Sequence, residues 1–269
     1  MPGTVEAHNQ RPAAVWSTGG DAYDEISGQI ASALEHCVRR IDPRPGERVL
    51  DVATGTGWTS RLLARSGAAV TGVDIASDLL AAASARAKAR GLEISYELGD
   101  AEKLPYADGS FDAVVSTFGV MFASRPEAAA GELARVCRKG GRIGLATWLP
   151  EGNVYRMFVV MRSYMPPPPT PAPPSPFAWG SRDRVQELLG GAFDLKFEQG
   201  VTTYYDRDGA AAWQAFSTGY GPTKSLAASL DETRRAQLQR DFIAFHEGFA
   251  TELGIATPRE YLVTLGRRR

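Results

Sequence analysis

The stretch from Arg48 to Asp74, RVLDVATGTGWTSRLLARSGAAVTGVD, constrains this chain more than any other. Val49, Leu50 and Val52 make a short β-prone run suited to a buried parallel strand. Gly55 and Gly57 then allow a sharp turn and close approach of the backbone to a ligand. Trp58 to Arg65 has helical spacing, with Leu62 and Leu63 able to face a sheet. After Gly67 the chain re-extends through Val70 and Val73, and Asp74 falls at the carboxyl end of that strand. Strand, glycine turn, helix, strand and terminal acid form half of a nucleotide-binding βαβ unit, in which such a carboxylate accepts the hydroxyls of a ribose. A ligand containing adenosine is the first expectation.

Two details separate the cofactors that use such a unit. A dinucleotide fingerprint carries glycine or alanine at its third small position, whereas Gly55-Thr56-Gly57-Trp58-Thr59-Ser60 carries serine there. Asp51, just ahead of the turn, would face a pyrophosphate badly but suits a ligand bearing an ammonium and a sulfonium. S-adenosylmethionine has both, and an NAD(P)-dependent reductase becomes the alternative.

Downstream, Ile94 to Leu98 reads as a third strand closed by Gly99-Asp100-Ala101, where Asp100 can accept a hydrogen bond from an adenine amino group. The turn Ala107-Asp108-Gly109-Ser110 and a fourth strand, Phe111 to Ser116, follow. With GDAEKLPYADGSFDAVVSTFGVMF joined to the earlier DVATGTG and TGVD, the chain resembles the class I S-adenosylmethionine-dependent methyltransferases. It resembles in particular the broad type-11 group that includes ubiquinone and menaquinone biosynthesis enzymes. The resemblance runs from Val49 to Trp148.

It implies that Asp51, Ala53, Gly55 and Gly57 cradle the methionine part of the cofactor, with Ala53 standing where many members have glycine. It further implies that Asp74 binds the ribose, Ile75 packs on adenine, and Asp100 with Ala101 meets the adenine edge. Thr117 and Phe118 match the segment passing beneath the methionine and the methyl group, with Met121 beside it. Ile75, Phe118 and Met121 read equally well as core. Trp16 and Tyr23 lie in a segment that looks like the N-terminal flap of related enzymes, and Tyr23 is either a cofactor contact or an aromatic that fixes the helix.

A chain of 269 residues can bury a substantial core, and one elaborated domain is expected. Residues 1–47 read as flap and helix, 48–150 as the cofactor-binding core, and 151–269 as cap segments and completion of the sheet. Ile26, Ile30, Leu34, Val38 and Ile41 predict one helical stripe before the sheet. Pro126 to Arg138 predicts a helix ended by Gly140-Gly141, and Arg142 to Trp148 a fifth strand. The resulting fold class is α/β: a doubly wound, Rossmann-like, seven-stranded, mostly parallel sheet, its ligand crevice at the carboxyl ends of the strands. Phe193 to Phe197 and Tyr261 to Leu265 are the candidates for strands six and seven, the last antiparallel as in related enzymes.

Insertions around those strands read as a helical cap. One holds a helix from Asn153 to Tyr164, then the proline run from Met165 to Pro176, which cannot be helical because proline lacks an amide donor. Phe177 and Trp179 follow it. The other spans Asp206 to Thr257, with helices around Ala210 to Phe216 and Asp231 to Leu253. Trp148, Phe177, Trp179, Tyr220 and His246 are the candidate acceptor-binding residues, and the aromatics in or beside the cap, Phe122, Trp148, Phe177, Trp179, Tyr204, Tyr205 and Trp213, favour a small, mainly apolar or aromatic acceptor. His246 or Tyr220 could serve as a base if the acceptor needs one. A non-catalytic S-adenosylmethionine-binding protein is the remaining alternative.

Other readings fail on the residues. His246-Glu247 lacks the second histidine of a zinc helix, and three histidines in the chain make a histidine-rich metal site improbable, so no metal is expected. A formal charge of −1 gives no reason to expect nucleic acid or a membrane surface as partner. Cys37 and Cys137 sit in helical patterns and read as reduced core thiols. No apolar run is long enough to span a bilayer and Met1 to Gln10 lacks the core of a signal peptide, so the cytoplasm is the expected location.

Overall fold

A computed structural model describes residues 3–170 and 172–269. Met1 and Pro2 of the N-terminal segment and Pro171 of the proline run lie outside the described residues. Three helices precede the sheet: α1 (Gln10–Ser17), α2 (Tyr23–Gly28) and α3 (Ala31–Ile41). The single stripe expected from Ile26 to Ile41 is therefore broken at Gln29 and Ile30. The two halves have different partners. Gly28 lies against the Trp58 indole, whose Nε1 donates to Asp24 O at 3.1 Å, while Leu34, Cys37, Val38 and Ile41 are buried in the core.

The alternation that follows matches the sequence pattern. It runs β1 (Arg48–Val52), α4 (Trp58–Arg65), β2 (Ala69–Asp74), α5 (Ser77–Ala89), β3 (Ile94–Leu98), β4 (Phe111–Thr117), α6 (Pro126–Val136) and β5 (Cys137–Trp148). Val49, Leu50 and Val52 have no exposed surface, since β1 is flanked on both edges by parallel strands and covered by helices. Helix α6 ends at Val136, ahead of Gly140-Gly141, because buried Cys137 is already extended and pairs with Phe111; the register then shifts so that Arg142 faces Ala113. Cys37 and Cys137 are both free and buried.

The second half contributes α7 (Asn153–Arg162), α8 (Arg182–Leu189), β6 (Phe193–Asp206), α9 (Gly209–Gly219), α10 (Gly221–Ser229), α11 (Glu232–Glu247), β7 (Ala250–Thr251) and β8 (Gly254–Arg268). The sheet order is β3-β2-β1-β4-β5-β8-β6, with β8 antiparallel to both its neighbours. Phe193–Phe197 and Tyr261–Leu265 are parts of strands 14 and 15 residues long. An eighth strand replaces the end of the helix expected to reach Leu253. Helix α11 stops before Gly248, and β7 folds back on β8 through a turn at Gly254, whose φ of 115° suits glycine alone. Helix α10 was not expected; Pro222 stands in its first turn, where its missing amide costs no hydrogen bond. The described prolines of the run between Met165 and Pro176 are outside any helix, and Pro176–Gly180 forms one 3₁₀ turn. Helices α7, α9, α10 and α11 pack on one another, while α9 meets α2 and α10 meets α1, joining flap and cap in one layer.

Candidate functional site

The loop from β1 to α4 holds three residues in the left-handed region: Ala53 at φ 55°, Gly55 at 55° and Gly57 at 79°. A side chain at Gly57 would collide with the Tyr96 hydroxyl. Asp51 lies fully buried behind the loop. Its Oδ2 accepts from the Thr54 and Ser60 hydroxyls, each at 2.7 Å, while Oδ1 has no partner among the described residues. Burial pushes its carboxyl up to about 6, against the pull of those two hydrogen bonds. Asp74, at the end of β2, accepts from Gly55 N at 2.8 Å through Oδ2 and from Ala76 N at 2.9 Å through Oδ1. Burial raises its pKa, opposed by these amides. Each oxygen keeps acceptor capacity for a further donor.

Ala53, Gly55 and Asp74 border a cleft of about 700 Å³, open solvent at its mouth included. Eight residues expected at the cofactor site line it: Tyr23, Ala53, Gly55, Asp74, Ile75, Asp100, Ala101 and Phe118. Asp51, Gly57, Thr117 and Met121 do not line it; Thr117 instead bonds to Thr59 at 2.6 Å, and Met121 is buried in the core. Asn9 also borders the cleft and was missed, since nothing in its local sequence marks it. The Asp100 carboxylate ties down that N-terminal segment, accepting from Glu6 N at 3.1 Å and Asn9 Nδ2 at 2.9 Å, and from Glu102 N at 3.0 Å. Three of about four lone-pair sites are then in use, leaving one for a ligand donor.

A second hollow, about 450 Å³ with open solvent included, shares Tyr23, Phe118 and Phe122 with the cleft. Phe118 holds this junction at φ 57°, a conformation rare for a bulky side chain, and stacks on Trp148 with centroids 3.8 Å apart. Trp148 and Tyr220, both expected to meet the acceptor, line this chamber, and Tyr220 stacks on Tyr23. Burial, aided by Tyr23, drives the Tyr220 hydroxyl well above its ordinary pKa, which suits a neutral phenol and not a base.

Phe177, Trp179 and His246 are not brought to either chamber. Phe177 packs edge-on to Tyr155 and Phe158. Trp179 is 1% exposed, its carbonyl accepting from the Thr147 hydroxyl at 2.8 Å. His246 is fully buried among Tyr204, Phe216, Phe242 and Phe245, with Nδ1 at 3.0 Å from Phe242 O; burial lowers its pKa to about 4.

The one charged residue lining the second chamber is Arg259. It is 4% exposed, with its guanidinium 4.2 Å from the Tyr204 ring centroid and 5.4 Å from that of Phe216. Among the described residues it has no hydrogen bond or ion pair, and burial lowers its pKa to about 10. A desolvated cation over an aromatic face gains about 2 kcal/mol, whereas burying an unpaired charge costs several kcal/mol. The rings therefore offset only part of the cost. Reading the last strand as starting near Tyr261 hid this residue. In the assembled strand Ile255, Thr257, Arg259 and Tyr261 alternate with less buried neighbours, and the arginine falls in the buried register, a placement that its residue type did not mark in the sequence.

No group of His, Cys, Asp and Glu among the described residues could hold a metal ion, and no described helix is long and apolar enough to cross a membrane. The profile of the methyltransferase domain matches residues 50–145. An uncharacterized protein of Mycobacterium tuberculosis is 42% identical over 238 residues, covering 86% of this chain and 85% of the relative. A demethylmenaquinone methyltransferase of Beutenbergia cavernae is 36% identical over 147 residues, 51% of this chain and 60% of that protein. Among solved structures, the YcgJ protein of Bacillus subtilis has a TM-score of 0.62 at 19% identity, covering 88% of this chain and 98% of that one, a likeness of fold. The chain therefore belongs to the methyltransferase-domain family, as a class I S-adenosylmethionine-dependent methyltransferase of the type-11 group.

Proposed function

We infer that the chain transfers a methyl group from S-adenosylmethionine to a small, mainly apolar or aromatic acceptor. The observation that carries this reading is the pair of chambers meeting at Tyr23, Phe118 and Phe122, one edged by Asp74 and Asp100, the other walled by aromatic rings. The residues fit the cofactor. Asp74 has acceptor capacity for ribose hydroxyls, Ile75 and Ala101 offer apolar surface to adenine, and Asp100 has one site left for its amino group. The unpartnered Asp51 oxygen favours a cationic ligand beyond the loop.

The bound cofactor supplies a methyl group already activated by its positively charged sulfur. Transfer forms the bond from acceptor to methyl carbon as the carbon–sulfur bond breaks, its electron pair leaving on sulfur and the acceptor proton passing to solvent. The chain's part is alignment and exclusion of water, and alignment alone is worth up to about 7 to 11 kcal/mol. Tyr23 and Phe118 stand where the two ligands would meet, so they set that alignment. Incubation of the purified chain with deuterium-labelled S-adenosylmethionine and a metabolite extract tests the reading. A labelled methyl on a small aromatic or apolar metabolite is expected; label found only on water-soluble polar metabolites, or on none, overturns the acceptor class.

A further inference from the structure

The second chamber is lined by one cation and, among the described residues, by no anion. Its lining is aromatic and aliphatic apart from the Tyr23 and Tyr220 hydroxyls and Arg259, and no acidic residue lines it to neutralise the guanidinium. Tyr204, under the guanidinium, spends its hydroxyl on Asp206 Oδ2 at 2.6 Å. Thr202, opposite Arg259 across the β6–β8 ladder, is bonded to Ser32 at 2.8 Å. Arg259 is thus a forked donor held between β6, α9 and the chamber with its donors unused among the described residues.

We propose that Arg259 is the acceptor anchor, and that the second chamber takes an aromatic carboxylic acid whose carboxylate pairs with the guanidinium while its ring lies among Phe158, Phe216 and Tyr220. This rests on the two-chamber reading above and names the acceptor class for it. The planar guanidinium offers two parallel donors, which a planar carboxylate accepts together. A phosphate dianion fits less well, because no second cation lines the chamber. The flat acid matches the aromatic walls, where ring stacking adds to the ion pair. Arg259 then positions the acceptor against the junction at Phe118 and takes no part in bond making.

The test uses the full chain saturated with S-adenosylhomocysteine and two probes of equal shape, 1-naphthoate and 1-naphthamide, titrated by calorimetry into wild type, Arg259→Met and Arg259→Lys. Wild type should bind the acid about tenfold or more tighter than the amide. Arg259→Met should bind both alike, Arg259→Lys should recover part of the preference, and all three should bind S-adenosylhomocysteine within about twofold. Methionine is chosen because exchanging a buried charge for an apolar side chain of similar length tends to keep the fold. No preference for the acid in wild type, no binding of it, or an undiminished preference in Arg259→Met overturns the proposal. A tenfold loss of S-adenosylhomocysteine affinity in Arg259→Met also overturns it, by assigning the guanidinium to the methionine carboxylate. Failure of wild type to bind S-adenosylhomocysteine at all would instead sink the cofactor reading, which separates the two failures.

Discussion

The Gly55 amide donates to Asp74 Oδ2 at 2.8 Å, so the carboxylate that closes β2 also fixes the loop that follows β1. One side chain thereby couples the shape of the loop to the position expected of the ribose. Asp74→Ala removes both functions. Losing hydrogen bonds to a charged acceptor costs about 1.5 to 3 kcal/mol, so S-adenosylhomocysteine affinity should fall about ten- to a hundredfold, with a lower melting temperature. Calorimetry on the folded variant checks this, and unchanged affinity would remove Asp74 from the site.

Asp51 is expected to make cofactor binding depend on pH. Burial raises its pKa from 3.8 to about 6, so between those values the folded chain holds a proton that the unfolded chain has released. Its contribution to stability is complete below the unfolded value and is lost as pH rises through the folded one. A cationic ligand nearby favours the ionised carboxylate, and binding then expels the proton. S-adenosylhomocysteine, through its ammonium, should bind several-fold to about tenfold more tightly at about pH 7 than at about pH 5, and Asp51→Asn should flatten that dependence. Equal slopes in the two proteins would show that Asp51 does not sense the ligand.

Ala53 carries a left-handed φ of 55° and its side chain fills the space beside Gly119, where any Cβ would collide with it. The left-handed conformation costs alanine about 1 to 2 kcal/mol, and the greater freedom of unfolded glycine returns about 0.4 to 1 kcal/mol of that. Ala53→Gly should therefore stabilise the chain by roughly 0.5 to 1 kcal/mol in urea unfolding. Gly119→Ala should destabilise it, since its Cβ would also lie 2.7 Å from the Ala53 carbonyl. A stabilised Gly119→Ala protein would show that the loop yields more easily than its contacts indicate.

Trp179 separates packing from recognition. With the side chain 1% exposed and outside both chambers, Trp179→Ala should cost about 3 to 5 kcal/mol of stability and weaken cofactor and acceptor binding alike. Melting temperature and the two affinities are the measurements. A normal melting temperature with a raised acceptor KM alone would return Trp179 to the acceptor site.

The sequence by itself determined the β1-to-β4 framework and the place of Asp74, because those features are local. A buried parallel strand is a short apolar run, a left-handed turn draws glycine, and an acid at a strand's end stays at the crevice whichever helices cover the sheet. Seven of the twelve expected cofactor residues line the cleft for that reason, while an eighth, Tyr23, is brought there by the packing of α2. Tertiary structure alone decided the second chamber. Its walls come from Tyr23, Phe118, Met157, Phe216 and Arg259, which lie on five separated segments, and no local pattern records which of them will meet. Phe177, Trp179 and His246 carry the composition of a binding surface but are buried away from both chambers. Arg259 has the composition of a solvated surface, yet the pairing of β8 with β6 and the packing of α9 enclose its charge. Burial depends on what folds over a residue, and for residues so far apart in the chain only the assembled structure contains that information.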